Sequence, residues 1–173
     1  MIDLLLKAGA DANAANELGT TALMKTAASG SVDAVNSLLE HGASVNTVEK
    51  ARQQTALMFA AALDRAPVVR LLAARGADLN AISKMVPVGN DLVDEDGNPV
   101  PAPSRTGVTR RRPGGEGRVT GMGGLTALHY AARAGLMDSV RALVEVGANV
   151  DRRNPVDYST PLVVAIINGR YDV

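Results

Sequence analysis

The chain has 173 residues, with 18 Lys and Arg against 18 Asp and Glu, so its formal charge at neutral pH is zero. Hydrophobic residues make up 46% of the sequence and aromatic residues only 2%, which favours closely packed helices over a β-sandwich and argues against wholesale disorder. The neutral balance gives no general attraction to nucleic acid or to a membrane surface, and the absence of Cys excludes disulfides and thiolate metal sites.

No segment has the length or the flanks of a membrane-associated element. The longest apolar runs, residues 56–63 and 161–167, are far shorter than the roughly 20 residues that a membrane-spanning helix needs. The opening stretch, MIDLLLKAGADANA, is too short and wrongly flanked for a secretory signal. We therefore expect no membrane partner.

The chain begins with half of a structural unit, residues 1–16. Residues 2–8 are rich in apolar side chains and are predicted to form the second helix of a pair whose first helix is missing. A turn with the sequence GADAN follows this helix. The half-unit is therefore expected to leave an apolar face uncovered at this end.

Two complete helix-turn-helix units follow, residues 17–50 and residues 51–80. In each unit a Thr, Thr21 or Thr55, is predicted to cap the first helix, because its hydroxyl can accept a hydrogen bond from an orphan backbone N–H. Leu57, Ala60 and Ala61 then fall on one helical face. The small alanines are expected to let the next helix approach closely.

The helix ends carry residues that suit their geometry. Gly30 and, in the later unit, Gly135 are predicted to end a first helix in left-handed backbone, and Asp64 is expected to tolerate the same conformation in unit 51–80. Pro67 falls in the first turn of a second helix, where its missing N–H is harmless. Arg75 falls in the last turn of that helix, where a cation complements the helix dipole.

The periodicity stops in residues 81–123, which form a predicted insertion. Five Pro and eight Gly among these 43 residues are typical of an irregular segment. A cluster of acidic residues precedes a cluster of arginines, and Asp96-Gly97-Asn98 between short apolar stretches favours a hairpin. A long loop in an otherwise regular scaffold is often functional.

The insertion contains three stretches with candidate binding chemistry. Residues 92–103 resemble a calcium loop only loosely, since Leu92 and Pro103 stand where ligands are needed. Residues 114–124 are rich in glycine but lack the spacing of a phosphate cradle, which favours a linker. Arg110–Arg112 is a candidate site for phosphate or an acidic partner, and the alternative is a solvated loop that pairs loosely with the acidic half.

The periodicity resumes in unit 124–154 and in a partial unit, residues 155–173. Thr126 and Thr160 are the predicted caps of two first helices, and Val140, Leu143 and Val144 are predicted to share the buried face of a second helix. Residues 170–173 are only the beginning of the last partner helix. We expect a fragment of a longer protein and a monomer; the alternative is head-to-tail pairing of the two half-units between copies.

The stretches TALMKTAASG, TALMFAAALD, TALHYAARAG and TPLVVAIING recur along the chain. They begin at spacings of 34, 71 and 34 residues, so one insertion separates otherwise regular units. The turns GADAN, GASVN, GADLN and GANVD each end in a side chain that is predicted to bond nearby backbone. These motifs, above all TALH at residues 126–129, TPL at residues 160–162 and the Gly-Ala turns, resemble the ankyrin repeat family over everything except the insertion.

The resemblance implies an all-α ankyrin-repeat solenoid with short turn or hairpin tips and one long loop insertion. It also implies a non-enzymatic scaffold without a cofactor, which binds another protein on a concave face made by the turn tips and first helices. Carried over position by position, the candidate partner-binding residues are Glu17, Leu18, Thr20, Ser29, Arg52, Gln54, Leu63, Arg133, Ala134, Asp157, Tyr158 and Asn168, with Arg110, Arg111 and Arg112 added from the insertion.

The two histidines are expected to be structural. The resemblance implies that His129 bonds Thr126, whereas Met24 and Met58 stand in its place in other units, where the hydrogen bond is lost and apolar packing remains. His41 lies at a helix end. The sequence shows no nucleophile beside a base and no paired His ligands. Two alternatives stay open: an enzyme with the insertion as its active-site loop, and a nucleic-acid-binding module that uses the arginines of that loop.

Overall fold

The computed structural model describes residues 1–87 and 121–172. Within these residues the chain forms helices α1 (Ile2–Lys7), α2 (Ala22–Ser29), α3 (Val32–Glu40), α4 (Ala56–Ala62), α5 (Ala66–Ala74), α6 (Ala127–Ala134), α7 (Met137–Glu145) and α8 (Pro161–Ile167), together with the two-residue strands β1 (Val86–Pro87) and β2 (Gly121–Met122). The predicted all-helical architecture is confirmed.

The helices lie in two layers. The first helices of successive units, α2, α4, α6 and α8, stack against one another, and the second helices, α1, α3, α5 and α7, stack in the same way. Within a unit the two helices pack as a hairpin, as α2 does with α3, α4 with α5 and α6 with α7. One apolar core runs between the layers. This is the predicted solenoid.

Each first helix begins at a threonine, as the sequence predicts. The hydroxyl oxygen of Thr21, Thr55, Thr126 or Thr160 accepts a hydrogen bond from the backbone N–H three residues later, over 3.3 to 3.4 Å. Each threonine has extended backbone, so the chain turns sharply into the helix. The turn tip that precedes a first helix is therefore held at the N-terminal end of that helix.

The first helices end in left-handed backbone where the sequence predicts it. The φ angles are 84° at Gly30, 73° at Gly135 and 57° at Asp64. Close packing adds a second requirement for glycine, because a Cβ at Gly30 would lie 2.7 Å from the Cδ of Arg65. The guanidinium of Arg65 donates to the carbonyl oxygen of Ala28 over 3.1 Å, so this side chain crosses the preceding unit at its glycine.

The second helices bury a narrower face than predicted. Val35, Leu38 and Leu143 are buried, and Val140 is partly buried. The prediction for Val144 is wrong: its side chain is 48% exposed. It lies on the side of α7 that faces an open groove beside α8, so no helix of the described chain covers it.

A ladder of asparagines joins consecutive units. The amide of Asn46 donates to the carbonyl oxygen of Gly76 over 3.1 Å and accepts from the N–H of Asp78 over 2.8 Å. Asn80 accepts in the same way from the N–H of Asn149 over 3.1 Å, on the far side of the insertion. These side chains were predicted to bond nearby backbone, but they bond the next unit instead. Units 51–80 and 124–154 therefore stack directly on each other.

The ends of the insertion are paired at its base. β1 and β2 are antiparallel, with Val86 opposite Met122 and Pro87 opposite Gly121. The backbone N–H of Ser83 donates to the carbonyl oxygen of Leu125 over 3.0 Å. The predicted hairpin at residues 96–98, the loosely calcium-like stretch 92–103, most of the glycine-rich stretch and the arginines 110–112 lie outside the described residues.

Candidate binding face

His129 is part of the scaffold. Its ring is fully buried, with Nδ1 2.8 Å from the hydroxyl oxygen of Thr126 and Nε2 3.3 Å from the carbonyl oxygen of Ser159 in the next unit. Burial lowers the pKa of the ring, and the contacts suit a neutral imidazole that donates from Nε2 and accepts at Nδ1. Met24 and Met58 fill the equivalent buried positions without such bonds, as predicted.

The described part of the chain has an apolar groove and no cluster of possible metal ligands. A groove of about 150 Å³ between α6, α7 and α8 is lined by aliphatic side chains alone: Leu128, Ala132, Val140, Val144, Val150, Pro161, Leu162 and Ala165. No three His, Asp or Glu side chains of the described residues converge where a metal ion could bind. None of the described helices is both long and apolar enough to cross a membrane.

The four turn tips share one backbone arrangement. At the base of each tip, a polar residue donates its N–H to the carbonyl oxygen of the residue just before the capping threonine. The pairs are Asn16 with Thr20 at 3.2 Å, Glu49 with Gln54 at 3.1 Å, Ser83 with Leu125 at 3.0 Å and Asn154 with Ser159 at 2.8 Å. The insertion therefore emerges from a tip, in the place where the other units have three or four residues.

Glu49 organises the second tip from within. Its carboxylate is almost fully buried and accepts from the backbone N–H groups of Ala51, Arg52 and Gln54, over 2.7, 2.6 and 3.1 Å. Hydrogen bonds from three N–H dipoles compensate the burial of this charge. The tip thus holds its carboxylate inside and leaves the side chain of Arg52 exposed.

The tips are joined to one another through their backbones. The N–H of Lys50 donates to the carbonyl oxygen of Leu18 over 2.9 Å, and its ammonium group donates to the carbonyl oxygen of Glu17 over 3.1 Å. In the next tip, the N–H of Lys84 donates to the carbonyl oxygen of Arg52 over 2.7 Å. Residues 17–20, 50–54, 84 and 155–158 form what we call the tip row.

The last tip packs against the base of the insertion. Gly124 has a φ of 68°, and a Cβ at this position would lie 2.7 Å from the side-chain oxygen of Asn154 and 3.0 Å from the Cδ of Pro155. The contact leaves no room for a larger residue. The tip row therefore continues past the insertion into the last tip.

A second row of side chains runs across the middle of the first helices. Lys25, Phe59 and Tyr130 each lie four residues after a capping threonine, on three helices that stack in sequence. Lys25 is exposed and the two aromatic rings are half-buried. The guanidinium carbon of Arg133 lies 5.4 Å from the centre of the Tyr130 ring, a cation–π distance.

The sequence-predicted residues fall into two groups. Those of the tips lie at the N-terminal ends of the first helices, and Ser29, Leu63, Arg133, Ala134 and Asn168 lie at their C-terminal ends, about 12 Å away along an eight-residue helix. All twelve described candidates are exposed or half-exposed: Glu17, Leu18, Thr20, Ser29, Arg52, Gln54, Leu63, Arg133, Ala134, Asp157, Tyr158 and Asn168. Arg110, Arg111 and Arg112 lie outside the described residues.

Four residues of this face were missed from the sequence. Lys25, Phe59 and Tyr130 share one position in the repeat, so alignment of the units on their threonines reveals them. Lys84 was assigned to the insertion, and only its bond to Arg52 places it in the tip row.

Comparison with known proteins agrees with this architecture. The profile of ankyrin repeats matches residues 1–83 as three copies and residues 123–155 as one copy. The chain belongs to the ankyrin repeat family. Ankyrin repeats are generally non-catalytic modules for protein–protein interaction.

Two curated relatives carry the similarity along most of the chain. E3 ubiquitin-protein ligase XBAT33 of Arabidopsis thaliana is 33% identical over 157 residues, which cover 87% of this chain and 27% of the relative. Probable E3 ubiquitin-protein ligase XBOS33 of Oryza sativa subsp. japonica is 32% identical over 156 residues, 87% of this chain and 29% of the relative. This ankyrin-repeat chain thus spans little more than a quarter of the relatives it matches.

Proposed function

We propose that this ankyrin-repeat chain is a scaffold that binds another protein through the tip row and the exposed side of the first helices. The observation that carries the proposal is the continuity of the tip row. Backbone hydrogen bonds fix Leu18 to Lys50 and Arg52 to Lys84. A surface that is already rigid loses little conformational entropy when it binds, and this favours affinity.

Tyr158 supports the same role. Its side chain is 72% exposed, and its backbone has a φ of 60°, a conformation that favours glycine. A large residue in this conformation costs stability, and its exposed ring is not packed in the core. Tyrosine often anchors protein interfaces, because it adds a large contact area at a low entropic cost. We therefore assign Tyr158 as a contact residue.

The insertion is proposed to assist binding. It leaves the scaffold from the tip row, between Ser83 and Leu125. A partner that contacts the insertion would therefore also lie close to Arg52 on one side and to the last tip on the other. Arg110, Arg111 and Arg112 are kept as candidate contacts within it.

The names of the two relatives are consistent with a protein-binding role, since a ubiquitin-protein ligase acts on protein. We propose no ligase chemistry for these repeats, because His129 is buried and the groove beside α8 is aliphatic. For a longer protein that contains this chain, the repeats would supply recognition of another protein and other segments would supply any reaction.

The proposal is tested by capture of proteins from an extract of the source organism. The wild-type chain is compared with a tip variant, Leu18→Ala with Tyr158→Gly, and with a control on the second helices, Val32→Ala with Arg141→Ala. Quantitative mass spectrometry should show proteins that the wild type and the control retain and the tip variant loses. Equal capture by all three folded chains would contradict the proposal.

A further inference from the structure

We propose that the partner segment bound on this face is acidic, an inference that rests on the proposed binding function and gives its chemistry. The inference rests on a separation of charge between the two helix layers. The first helices, α2, α4, α6 and α8, contain no Asp or Glu. The second helices contain five: Asp3, Asp33, Glu40, Asp138 and Glu145. The zero net charge of the whole sequence hides this asymmetry.

The tips add exposed cations at the N-terminal ends of these first helices. Lys50, Arg52 and Lys84 are exposed on neighbouring tips that are bonded to one another. Arg152 and Arg153 are exposed just before the last tip, and Lys25 and Arg133 on the first helices. A surface of one sign attracts a partner of the other sign and orients it during encounter.

Three exposed carboxylates, those of Glu17, Asp151 and Asp157, lie near these seven cations. Glu49 is buried and bound to three N–H groups of its own tip. Asp157 is exposed and accepts from the N–H and the hydroxyl of Ser159 over 3.1 and 2.7 Å. The ammonium of Lys50 donates to the neutral carbonyl of Glu17, not to its carboxylate.

In the layer of second helices, positive side chains are balanced by negative ones. The ion pair found within residues 1–87 and 121–172 joins Arg70 to Glu145 over 2.8 Å, between α5 and α7. The second helices carry both signs, because α5 with Arg70 packs between α3 with Asp33 and Glu40 and α7 with Asp138 and Glu145. The tip row and the first helices therefore carry an excess of exposed cations over exposed carboxylates.

Exposed apolar side chains beside the cations favour a protein segment over a nucleic acid. Leu18 is 61% exposed and Tyr158 is 72% exposed, at the two ends of the tip row, and Leu63 is exposed just after α4. Aliphatic side chains do not read phosphate, which is bound by Lys, Arg and backbone N–H groups. In an acidic peptide with apolar residues at intervals, the carboxylates would pair with the cations and the apolar residues would pack against Leu18, Leu63 and Tyr158.

The test measures binding of fluorescein-labelled peptides to the full chain by anisotropy. The probe is a repeated Glu-Glu-Leu peptide, with a Gln-Gln-Leu peptide of the same length and an oligothymidylate of matched charge beside it. The acidic peptide should bind more tightly than either, and its affinity should fall as salt is added, since salt screens exposed charges. Arg52→Glu with Lys84→Glu should weaken it about tenfold.

The controls separate the tip row from other arginines. Lys7→Glu with Arg141→Glu makes the same change of charge on the second helices and should alter the affinity by less than about twofold. Arg110, Arg111 and Arg112 changed together to Glu test the loop. Circular dichroism checks that each variant is folded.

Several results would overturn the inference: no binding of the acidic peptide, equal losses in both double variants, a loss confined to the loop variant, or tighter binding of the oligothymidylate. The last result would favour nucleic acid. Failure of the acidic peptide, combined with tip-dependent capture of proteins from an extract, would overturn only the acidic chemistry and leave the proposed binding function standing.

Discussion

The side-chain oxygen of Asn80 accepts a hydrogen bond of 3.1 Å from the backbone N–H of Asn149, although 69 positions separate the two residues. The same bond joins Asn46 to Asp78 in units that follow each other directly. The N–H of Ser139 likewise reaches across the insertion to the carboxylate of Asp64 over 2.9 Å. The insertion therefore leaves the chain at a tip, and the stack of helices is continuous across it.

Removal of residues 88–120 is expected to leave the fold intact. An Asn-Gly turn that joins Pro87 to Gly121 would close the existing pair β1–β2 as a hairpin. The free energy of unfolding should rise by about 2 kcal/mol, because a shorter loop costs less entropy to close. Urea unfolding followed by circular dichroism measures this. A loss of the single cooperative transition would mean that the loop holds the two halves together.

Truncation of Leu128 should be costly and truncation of Leu162 should not. The two residues occupy the same position in their first helices, but Leu128 is buried and Leu162 is 63% exposed. Leu128→Ala should lower the free energy of unfolding by roughly 2–5 kcal/mol, and Leu162→Ala by less than about 0.5 kcal/mol. Urea unfolding of both variants checks the register, and similar losses in the two would show that the units are misaligned.

His129 should make stability depend on pH in the mildly acidic range. Burial lowers its pKa below the ordinary 6.5, so the unfolded chain binds a proton before the folded chain does. The contribution of neutral His129 to the free energy of unfolding should be complete above pH 6.5. The free energy of unfolding should then fall as the pH drops from 6.5 towards the lowered folded-state pKa. Urea titrations across this range measure the slope.

The matched variant for this prediction is His129→Met, which copies the residue of the two earlier units. It should remove the slope in the mildly acidic range. The hydrogen bond from Ser37 lowers the pKa of Asp3 from 3.8, so any loss due to this carboxyl falls in a separate range below that value. An unchanged slope in His129→Met would rule out His129 as its source.

Ser139→Ala should stabilise the protein. The hydroxyl of Ser139 is buried on α7 and has no hydrogen-bond partner among the described residues. Its removal should raise the free energy of unfolding by up to about 1 kcal/mol, because a buried unpaired polar group is unfavourable. Ser37→Ala is the matched change, since the Ser37 hydroxyl donates to the carboxylate of Asp3 and its loss should destabilise. Thermal melts that rank the two variants in the opposite order would contradict the assignment.

The sequence predicts local structure well where a residue type has a known preference for one position in a helix or turn. A threonine before an apolar helix specifies a cap, and Asp64 was correctly expected in left-handed backbone. Contacts between units are harder to predict, because they depend on how helices stack. The asparagines of the Gly-Ala turns were assigned to nearby backbone, whereas Asn46 bonds Gly76 and Asp78. Val144 follows the helical spacing of a buried residue, yet no described helix covers it.

The candidate site was predicted only in part, for a related reason. Positions in the repeat identify surface residues such as Leu18 and Tyr158, and these are exposed. The sequence alone does not show that Glu49 is buried by bonds to its own tip, nor that Lys84 lies beside Arg52. Both contacts depend on the folded turn. The cationic character of the face therefore became apparent only with the structure.

Binding on the tip row and first helices is tested most directly by hydrogen exchange of the full chain, alone and in complex with a protein captured from an extract. We expect slower exchange in residues 16–29, 49–62, 124–134 and 154–167, which span the tips and first helices, with little change in α3, α5 and α7. Protection confined to those second helices would contradict it, because the partner would then bind the layer that carries the acidic residues.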